Sequence, residues 1–169
     1  MKIRHFLLLI VVLLSLLWVG CAPARSDVDY LTTGGSGEVK GTMSGVEFCA
    51  VIKIDAGRER VRVEYLSPSS LCGLVLVSDG KTCEVTVGKF SFDCNADEVS
   101  GFLRPVTAFL QTEDAVSVQR EGENTVLTLP TGEVLTLSPA GAPLSLVGED
   151  LDLRVTWWET GSEECRGKG

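Results

Sequence analysis

The chain has 169 residues, a formal net charge of −8 and 44% apolar residues. This length and composition indicate a folded domain of moderate size rather than a disordered chain. The acidic balance lacks the positive footprint that nucleic-acid binding requires, so we expect no nucleic-acid partner. The chain contains one histidine, His5, and six cysteines.

The first twenty residues have the pattern of a signal peptide. Lys2 and Arg4 precede a 14-residue run from Phe6 to Val19 that is apolar except for one serine. Such a run is typical of a signal-peptide core and is shorter than the roughly 20 residues that a membrane span needs. An uncleaved signal anchor and a plain secreted protein are the alternative interpretations.

The apolar run ends at a small residue followed by cysteine. The sequence Trp18-Val19-Gly20-Cys21 resembles the lipobox of bacterial lipoproteins. The resemblance implies cleavage before Cys21, which then carries a diacylglyceryl group on its sulfur. It also implies an extracytoplasmic protein held on the bacterial membrane by lipid. Because each buried methylene contributes about 0.8 kcal/mol, two or more acyl chains anchor a protein stably.

Removing residues 1–20 leaves 149 residues with 13 basic and 23 acidic side chains, hence a charge of −10. It also removes the only histidine, which excludes histidine-dependent catalysis and histidine-ligated zinc. No closely spaced cysteine pair that would ligate zinc is present. We therefore expect no enzymatic activity, no metal and no cofactor.

Four segments are predicted along the chain. Residues 1–20 are the signal peptide, 21–37 the lipidated cysteine and a flexible tether, 38–158 the folded domain and 159–169 a polar tail. Within the tether, residues 29–33 are a candidate first strand. From residue 38 to 94 the apolar residues alternate, which predicts consecutive antiparallel strands. Their predicted bounds are 45–54, 59–66, 71–78, 81–87 and 90–94.

Pairing these strands outward from their turns gives one apolar face. The turns Asp79-Gly80 and Gly88-Lys89 have residues that suit two-residue hairpins. A one-residue slip would reverse the face, so the agreement of the turns supports the register. The face contains Phe48, Ala50, Ile52, Val61, Val63, Tyr65, Cys72, Leu74, Leu76, Cys83, Val85, Val87, Phe90, Phe92 and Cys94.

One helix is predicted, at about residues 97–112. Apolar residues recur there at helical spacing, among them Val99, Phe102, Val106 and Phe109. Pro105 is expected to kink this helix or split it in two. Alternating strands resume after it and are predicted at 115–120, 124–129, 133–138, 143–147 and 151–158.

Two further groups of residues are candidate sites, the cysteines and the tryptophan pair. Cys83 lies directly opposite Cys94, within the span of a disulfide, although both can equally be read as buried thiols. Because five cysteines follow Cys21, at least one has no intramolecular partner; Cys49 with Cys165 is a further pairing. Alternation turns Trp157 inward and Trp158 outward, so Trp158 is either a partner-surface residue or packs under the tail or helix.

The order of these elements resembles the LolA-like half-open β-barrel of bacterial envelope lipoprotein carriers. The resemblance covers residues 38–158 and is most evident at 60–80 (RVRVEYLSPSSLCGLVLVSDG) and 132–137 (GEVLTL). It implies a mainly β fold, in which a curved antiparallel sheet of about ten strands is covered by one helix. In carriers the concave face holds acyl chains. Other members, such as the clostridial germination lipoprotein, are non-enzymatic partners of envelope or cell-wall enzymes.

Two functions follow as expectations. In the first, a membrane-anchored, non-enzymatic lipoprotein of the cell envelope binds a lipid or acyl chain on its concave face. In the alternative, a lipid-anchored interaction module or homodimer positions an envelope enzyme. The apolar face is either a filled core or a core with an opening, which the pattern does not separate. The predicted ligand-facing residues are Phe48, Ile52, Val61, Val63, Tyr65, Leu74, Leu76, Val85, Phe90, Phe92, Phe102 and Phe109.

Overall fold

A computed structural model describes residues 29–55 and 60–161. The helices are α1 (Asp29–Thr33) and α2 (Ser100–Leu110), and 3-10 turns at Ala96–Val99 and Gln111–Asp114 flank α2. The strands are β1 (Gly35–Met43), β2 (Val46–Ile54), β3 (Val61–Ser67), β4 (Leu74–Ser78), β5 (Thr82–Val87), β6 (Phe90–Asn95), β7 (Ser117–Glu121), β8 (Asn124–Thr128), β9 (Val134–Leu137), β10 (Pro143–Val147) and β11 (Leu151–Thr160).

The eleven strands form one antiparallel sheet in the order β6-β5-β4-β3-β2-β1-β11-β10-β9-β8-β7. The predicted fold class, a mainly β antiparallel sheet with one covering helix, is confirmed. The register predicted from the Gly88-Lys89 turn is confirmed, because Val87 pairs with Phe90 and Val85 with Phe92. Across the Asp79-Gly80 turn the pairing is shifted by two residues from the prediction, since Leu76 pairs with Val85 rather than with Cys83. A shift of two residues leaves the apolar side chains on the predicted face. We call the face that α2 covers the inner face.

The N-terminal segment differs from the prediction. Residues 29–33 form helix α1 rather than a strand, and β1 begins at Gly35, where a flexible tether to residue 37 was expected. The glycines have a packing role, since a Cβ on Gly35 or Gly37 would lie 2.6 or 2.5 Å from the Trp158 ring. Because glycine has no side chain, the Trp158 indole can pack directly on β1, the central strand of the sheet. The same small residues had suggested a spacer.

Helix α2 continues through Pro105, which was expected to kink or split it. Proline removes one helical hydrogen bond, at a cost of about 3 kcal/mol in a helix interior. Tertiary packing outweighs this cost, because Leu103, Val106 and Phe109 are buried against the sheet. Burial of each such side chain contributes about 1.5–3 kcal/mol.

Two buried tyrosines hold α2 on the inner face. The Tyr65 hydroxyl of β3 donates to the Phe102 carbonyl oxygen at 2.8 Å, and the Tyr30 hydroxyl of α1 donates to the Phe109 carbonyl oxygen at 2.7 Å. Burial raises the pKa of Tyr65 to about 12, so its hydroxyl remains a donor at physiological pH. The helix therefore runs from the side of β3 to the side of α1 and β11.

Neither α1 nor α2, the helices of the described residues, is long and apolar enough to cross a membrane.

Candidate apolar ligand site

Exposure increases along the inner face towards the β5–β6 turn. In one row of neighbouring residues, Tyr65 is fully buried, Leu74 is half-buried, Val87 is 49% exposed and Phe90 is 79% exposed. This increase in exposure shows that part of the apolar inner face is not covered by α2 or by other parts of the protein. This result locates an uncovered surface at the tip of the β5–β6 hairpin.

The next row shows the same gradient. Val63, Leu76 and Val85 pair in sequence across β3, β4 and β5 and are all buried, whereas Phe92 of β6 is 55% exposed. Edge strand β6 is therefore the place where the inner face opens. The uncovered apolar surface, which we call the open corner, consists of Leu74, Val87, Phe90, Phe92 and Phe102.

The path of α2 explains the opening. After β6 the chain turns back over the sheet, and the Ala96 amide donates to the Lys81 carbonyl oxygen at 3.0 Å. Phe102 then packs edge-to-face on the Tyr65 ring, with centroids 6.3 Å apart. Because the helix continues from there towards Tyr30, it leaves the hairpin tip uncovered. Phe102 itself stays 40% exposed at the border.

The structure divides the predicted ligand-facing residues into two groups. The buried group is a filled core beneath α2 and comprises Phe48, Ile52, Val61, Val63, Tyr65, Leu76, Val85 and Phe109. The exposed group is Phe90, Phe92 and Phe102, and Leu74 is half-buried between the two. Val87 belongs to the open corner as well; sequence reasoning placed it on the apolar face but not among the site residues.

A polar cluster fixes the other side of α2 and was not predicted from the sequence. The Arg104 guanidinium donates to Glu133 Oε1 through Nη2 at 3.0 Å and Nε at 3.2 Å, and it also contacts Asp150. Glu133 is buried, and the Thr131 hydroxyl donates to its other oxygen. Arg104 therefore joins α2 to the β8–β9 and β10–β11 turns.

Burial would raise the pKa of Glu133, but hydrogen bonds from Thr131, its own backbone amide and Arg104 outweigh burial and lower it. The hydrogen bond from the Ser44 hydroxyl and the interactions with Arg104 likewise lower the pKa of Asp150 against the opposing effect of desolvation. A carboxyl group whose folded pKa is below its unfolded value stabilises the fold above the unfolded value. That contribution is lost as the pH falls through the folded pKa.

We therefore predict that Glu133→Gln weakens the pH dependence of stability. Between about pH 5 and pH 3 the melting temperature of the wild type should fall more steeply than that of Glu133→Gln. At pH 7 the variant should lose about 1–2 kcal/mol, since charged hydrogen bonds are replaced and Arg104 is partly exposed. Thermal unfolding across this pH range is the measurement, with the exposed Glu123→Gln as control. Parallel curves for all three proteins would contradict this role of Glu133.

The predicted orientation of the tryptophan pair is wrong. Glu38 pairs with Trp157 but Val39 pairs with Val155, so Thr156 is an extra residue in a β-bulge. A bulge shifts the alternation by one residue, and Trp158 consequently points inward. Its ring lies edge-to-face on Tyr30, with centroids 5.5 Å apart. Trp157 is on the outer face and 42% exposed.

The cysteines that the structure describes are free thiols: Cys49, Cys72, Cys83 and Cys94. Cys83 and Cys94 are directly opposed, as the register predicted, and the disulfide between them stays a prediction. Cys21, with the signal peptide, and Cys165 lie outside the described residues. Across residues 29–55 and 60–161, no three His, Cys, Asp or Glu side chains gather as they would to hold a metal ion.

Comparisons with known proteins give a shared fold. No protein-family model and no curated protein matches the chain. An uncharacterized conserved protein from Thermus thermophilus has a similar structure, with a TM-score of 0.52, 19% identity, and coverage of 78% of this chain and 81% of that one. At this identity the similarity shows that the two proteins share a fold.

A more distant structural similarity is to a LolA superfamily protein from Nitrosomonas europaea. Its TM-score is 0.38 and its identity 12%, over 72% of this chain and 68% of that one.

Proposed function

We propose that this protein is a membrane-anchored, non-enzymatic lipoprotein that binds a lipid acyl chain at the open corner. The observation that supports the proposal most strongly is the exposure of Phe90 and Phe92, 79% and 55%, on the inner face of the sheet. Contiguous exposed apolar surface is unfavourable in water and marks a binding surface. The open corner contains no charged residue, which suits a hydrocarbon chain.

The open corner adjoins the core. Leu74 pairs with Val87 and Val87 with Phe90, while Phe102 of α2 packs on the buried ring of Tyr65. An acyl chain lying along β6 would contact the rings of Phe90 and Phe92. Because the buried rows beneath α2 are already filled by side chains, the ligand lies at the hairpin tip rather than under the whole helix.

The membrane anchor is a separate part of the proposal and depends on the lipobox at residues 18–21. An extracytoplasmic protein tethered through Cys21 meets acyl chains at the surface of its own membrane. Cys21 supplies attachment, and the open corner supplies recognition. The absence of histidine after residue 20 supports a binding role over catalysis.

The test is the lipid that the full chain carries. We expect an organic extract of the purified protein, analysed by mass spectrometry, to contain a non-covalent acyl lipid. The covalently attached chains at Cys21 stay with the protein during extraction. A matched purification of Phe90→Thr/Phe92→Thr separates lipid at the open corner from lipid carried by the anchor. An equal lipid content in the two proteins would contradict the proposal.

The alternative, an interaction module that positions an envelope enzyme or forms a homodimer, is favoured by Trp157. The β-bulge places this large aromatic side chain on the outer face, and exposed tryptophan is enriched at binding hot spots. We expect Trp157→Ala to lose any crosslinked partner in intact cells, while Trp158→Phe keeps it. Crosslinking followed by mass spectrometry measures this. An identical product in Trp157→Ala would exclude Trp157 as the contact, and identification of this chain in the product would indicate a homodimer.

A further inference from the structure

We infer that Cys83 and Cys94 are a redox-active pair whose oxidation to a disulfide fastens edge strand β6 to the sheet. The inference does not depend on the proposed ligand. It starts from the position of β6, which pairs with β5 alone and is at one end of the strand order. Five of its six residues are exposed, so little packing holds this strand in place.

The geometry allows a bond between the two sulfurs. Cys83 and Cys94 are direct register partners, and opposed Cα atoms in an antiparallel pair are about 4.5 or 5.5 Å apart. Disulfides span Cα separations of about 4.4–6.8 Å. The Cys94 thiol donates to the Cys83 carbonyl oxygen with its sulfur 3.5 Å away, so it already lies over its partner. The two cysteines are therefore within the span that a disulfide needs.

The two thiols differ in ways that set the order of the reaction. Cys83 is fully buried, whereas Cys94 is partly exposed. Burial raises the pKa of Cys83 to about 11, and its contact with Cys94 contributes to this rise. Cys94 is thus the thiol that an external oxidant reaches, and Cys83 is the thiol that resolves the intermediate.

The oxidant is a small-molecule or protein disulfide, RSSR. The Cys94 thiolate attacks one sulfur of RSSR, which breaks its S–S bond and releases one RS⁻ that takes up a proton. The Cys83 thiol then loses its proton and attacks the Cys94 sulfur, forming the intramolecular bond and releasing the second RS⁻, which is also protonated. Two thiols are oxidised and RSSR is reduced to two RSH, so electrons and protons balance.

This disulfide bears on the open corner because β6 also carries Phe90 and Phe92. Closing a loop of about a dozen residues restricts the unfolded chain and stabilises the fold. In the reduced protein the edge strand is held by its hydrogen bonds to β5 and by its side-chain contacts. Oxidation would add a covalent link four residues from Phe90 and two from Phe92.

The test uses the purified full chain, incubated with oxidised glutathione or with reduced glutathione as the reference. After alkylation, trypsin separates the two cysteines, because it cleaves after Lys81 and Lys89 but not between Arg104 and Pro105. We expect peptide 82–89 to appear joined to peptide 90–120 only after oxidation, about 2 Da lighter than the two free thiol peptides together. The melting temperature of the same sample should rise by about 5 °C or more.

Two variants make the result specific. Cys72→Ser removes the exposed loop thiol and should leave the joined peptides and the shift in melting unchanged. Cys94→Ser should abolish both while the protein stays folded, since serine fits a partly exposed site on an edge strand. Alkylation of Cys83 and Cys94 as free thiols after oxidation of the wild type, or a disulfide from either residue to Cys72 or Cys49, would overturn the inference.

Discussion

Replacing Phe90 and Phe92 together with threonine is expected to reduce the affinity for a long-chain fatty acid by about 30-fold or more. The reason is contact area, since both rings are mostly exposed in the free protein and available to a ligand. Losing about 1 kcal/mol or more of apolar contact at each ring accounts for this factor. Fluorescence titration of the purified full chain with cis-parinaric acid measures the loss directly.

Threonine keeps the strand propensity of β6, and the replaced rings contribute little to the core, so the variant should stay folded. Val46→Thr is the matched control. Val46 is an exposed residue, 53% accessible, at the β1–β2 turn and outside the open corner. It should bind cis-parinaric acid as the wild type does. Equal affinities for all three proteins would contradict a ligand site at the open corner.

Trp158→Ala is expected to lower the free energy of unfolding by about 3 kcal/mol, the largest effect on stability that we predict. Its ring covers Gly35 and Gly37 and contacts Tyr30, so alanine would leave a cavity between β1, β11 and α1. Urea unfolding of the full chain measures the change. Trp157→Ala should cost less than about 1 kcal/mol, because Trp157 is on the outer face.

A second substitution separates packing from polarity at this position. The Trp158 indole nitrogen is buried and has no hydrogen-bond partner among the residues that the structure describes. Trp158→Phe removes this unpaired donor and keeps most of the ring, so it should lose much less stability than Trp158→Ala. If Trp157→Ala proved more destabilising than Trp158→Ala, this result would contradict the β-bulge at Thr156 and the inward orientation of Trp158.

The strands and their inner face could be predicted because a sheet with one buried face has a strict two-residue period. The pairing of β5 with β6 follows from the Gly88-Lys89 turn, and the two-residue shift between β4 and β5 leaves the inner face unchanged. The prediction failed at Trp157 and Trp158 because a β-bulge is a tertiary feature. The extra residue, Thr156, is a common strand residue and carries no local signal.

The role of β1 was missed for a related reason. Glycine is depleted in strands, so a segment rich in glycine predicts a linker. Here Gly35 and Gly37 are required by the size of the Trp158 ring, which lies more than a hundred residues away in the sequence. A contact of that kind has no counterpart in local composition.

The candidate site was predicted only in part. Sequence alternation identified the whole apolar face but could not separate its covered rows from the open corner, because cover depends on the path of α2. That path is set by Tyr65 and Tyr30, whose hydroxyls bond to helix carbonyls, and by Arg104, whose partners Glu133 and Asp150 are distant in sequence. None of these pairs has a spacing that a motif would reveal.

The most direct test of a lipid site at the open corner is to locate a bound acyl chain on the protein. Cells expressing the full chain would be supplied with a photoreactive, clickable fatty acid, irradiated, and the purified protein digested with trypsin. We predict light-dependent label on peptides 63–81, 82–89 and 90–120, which carry Leu74, Val87, Phe90, Phe92 and Phe102, while fatty acid incorporated at Cys21 labels only the peptide ending at Arg25 without light. Light-dependent label elsewhere, or none beyond the Cys21 peptide, would contradict the account.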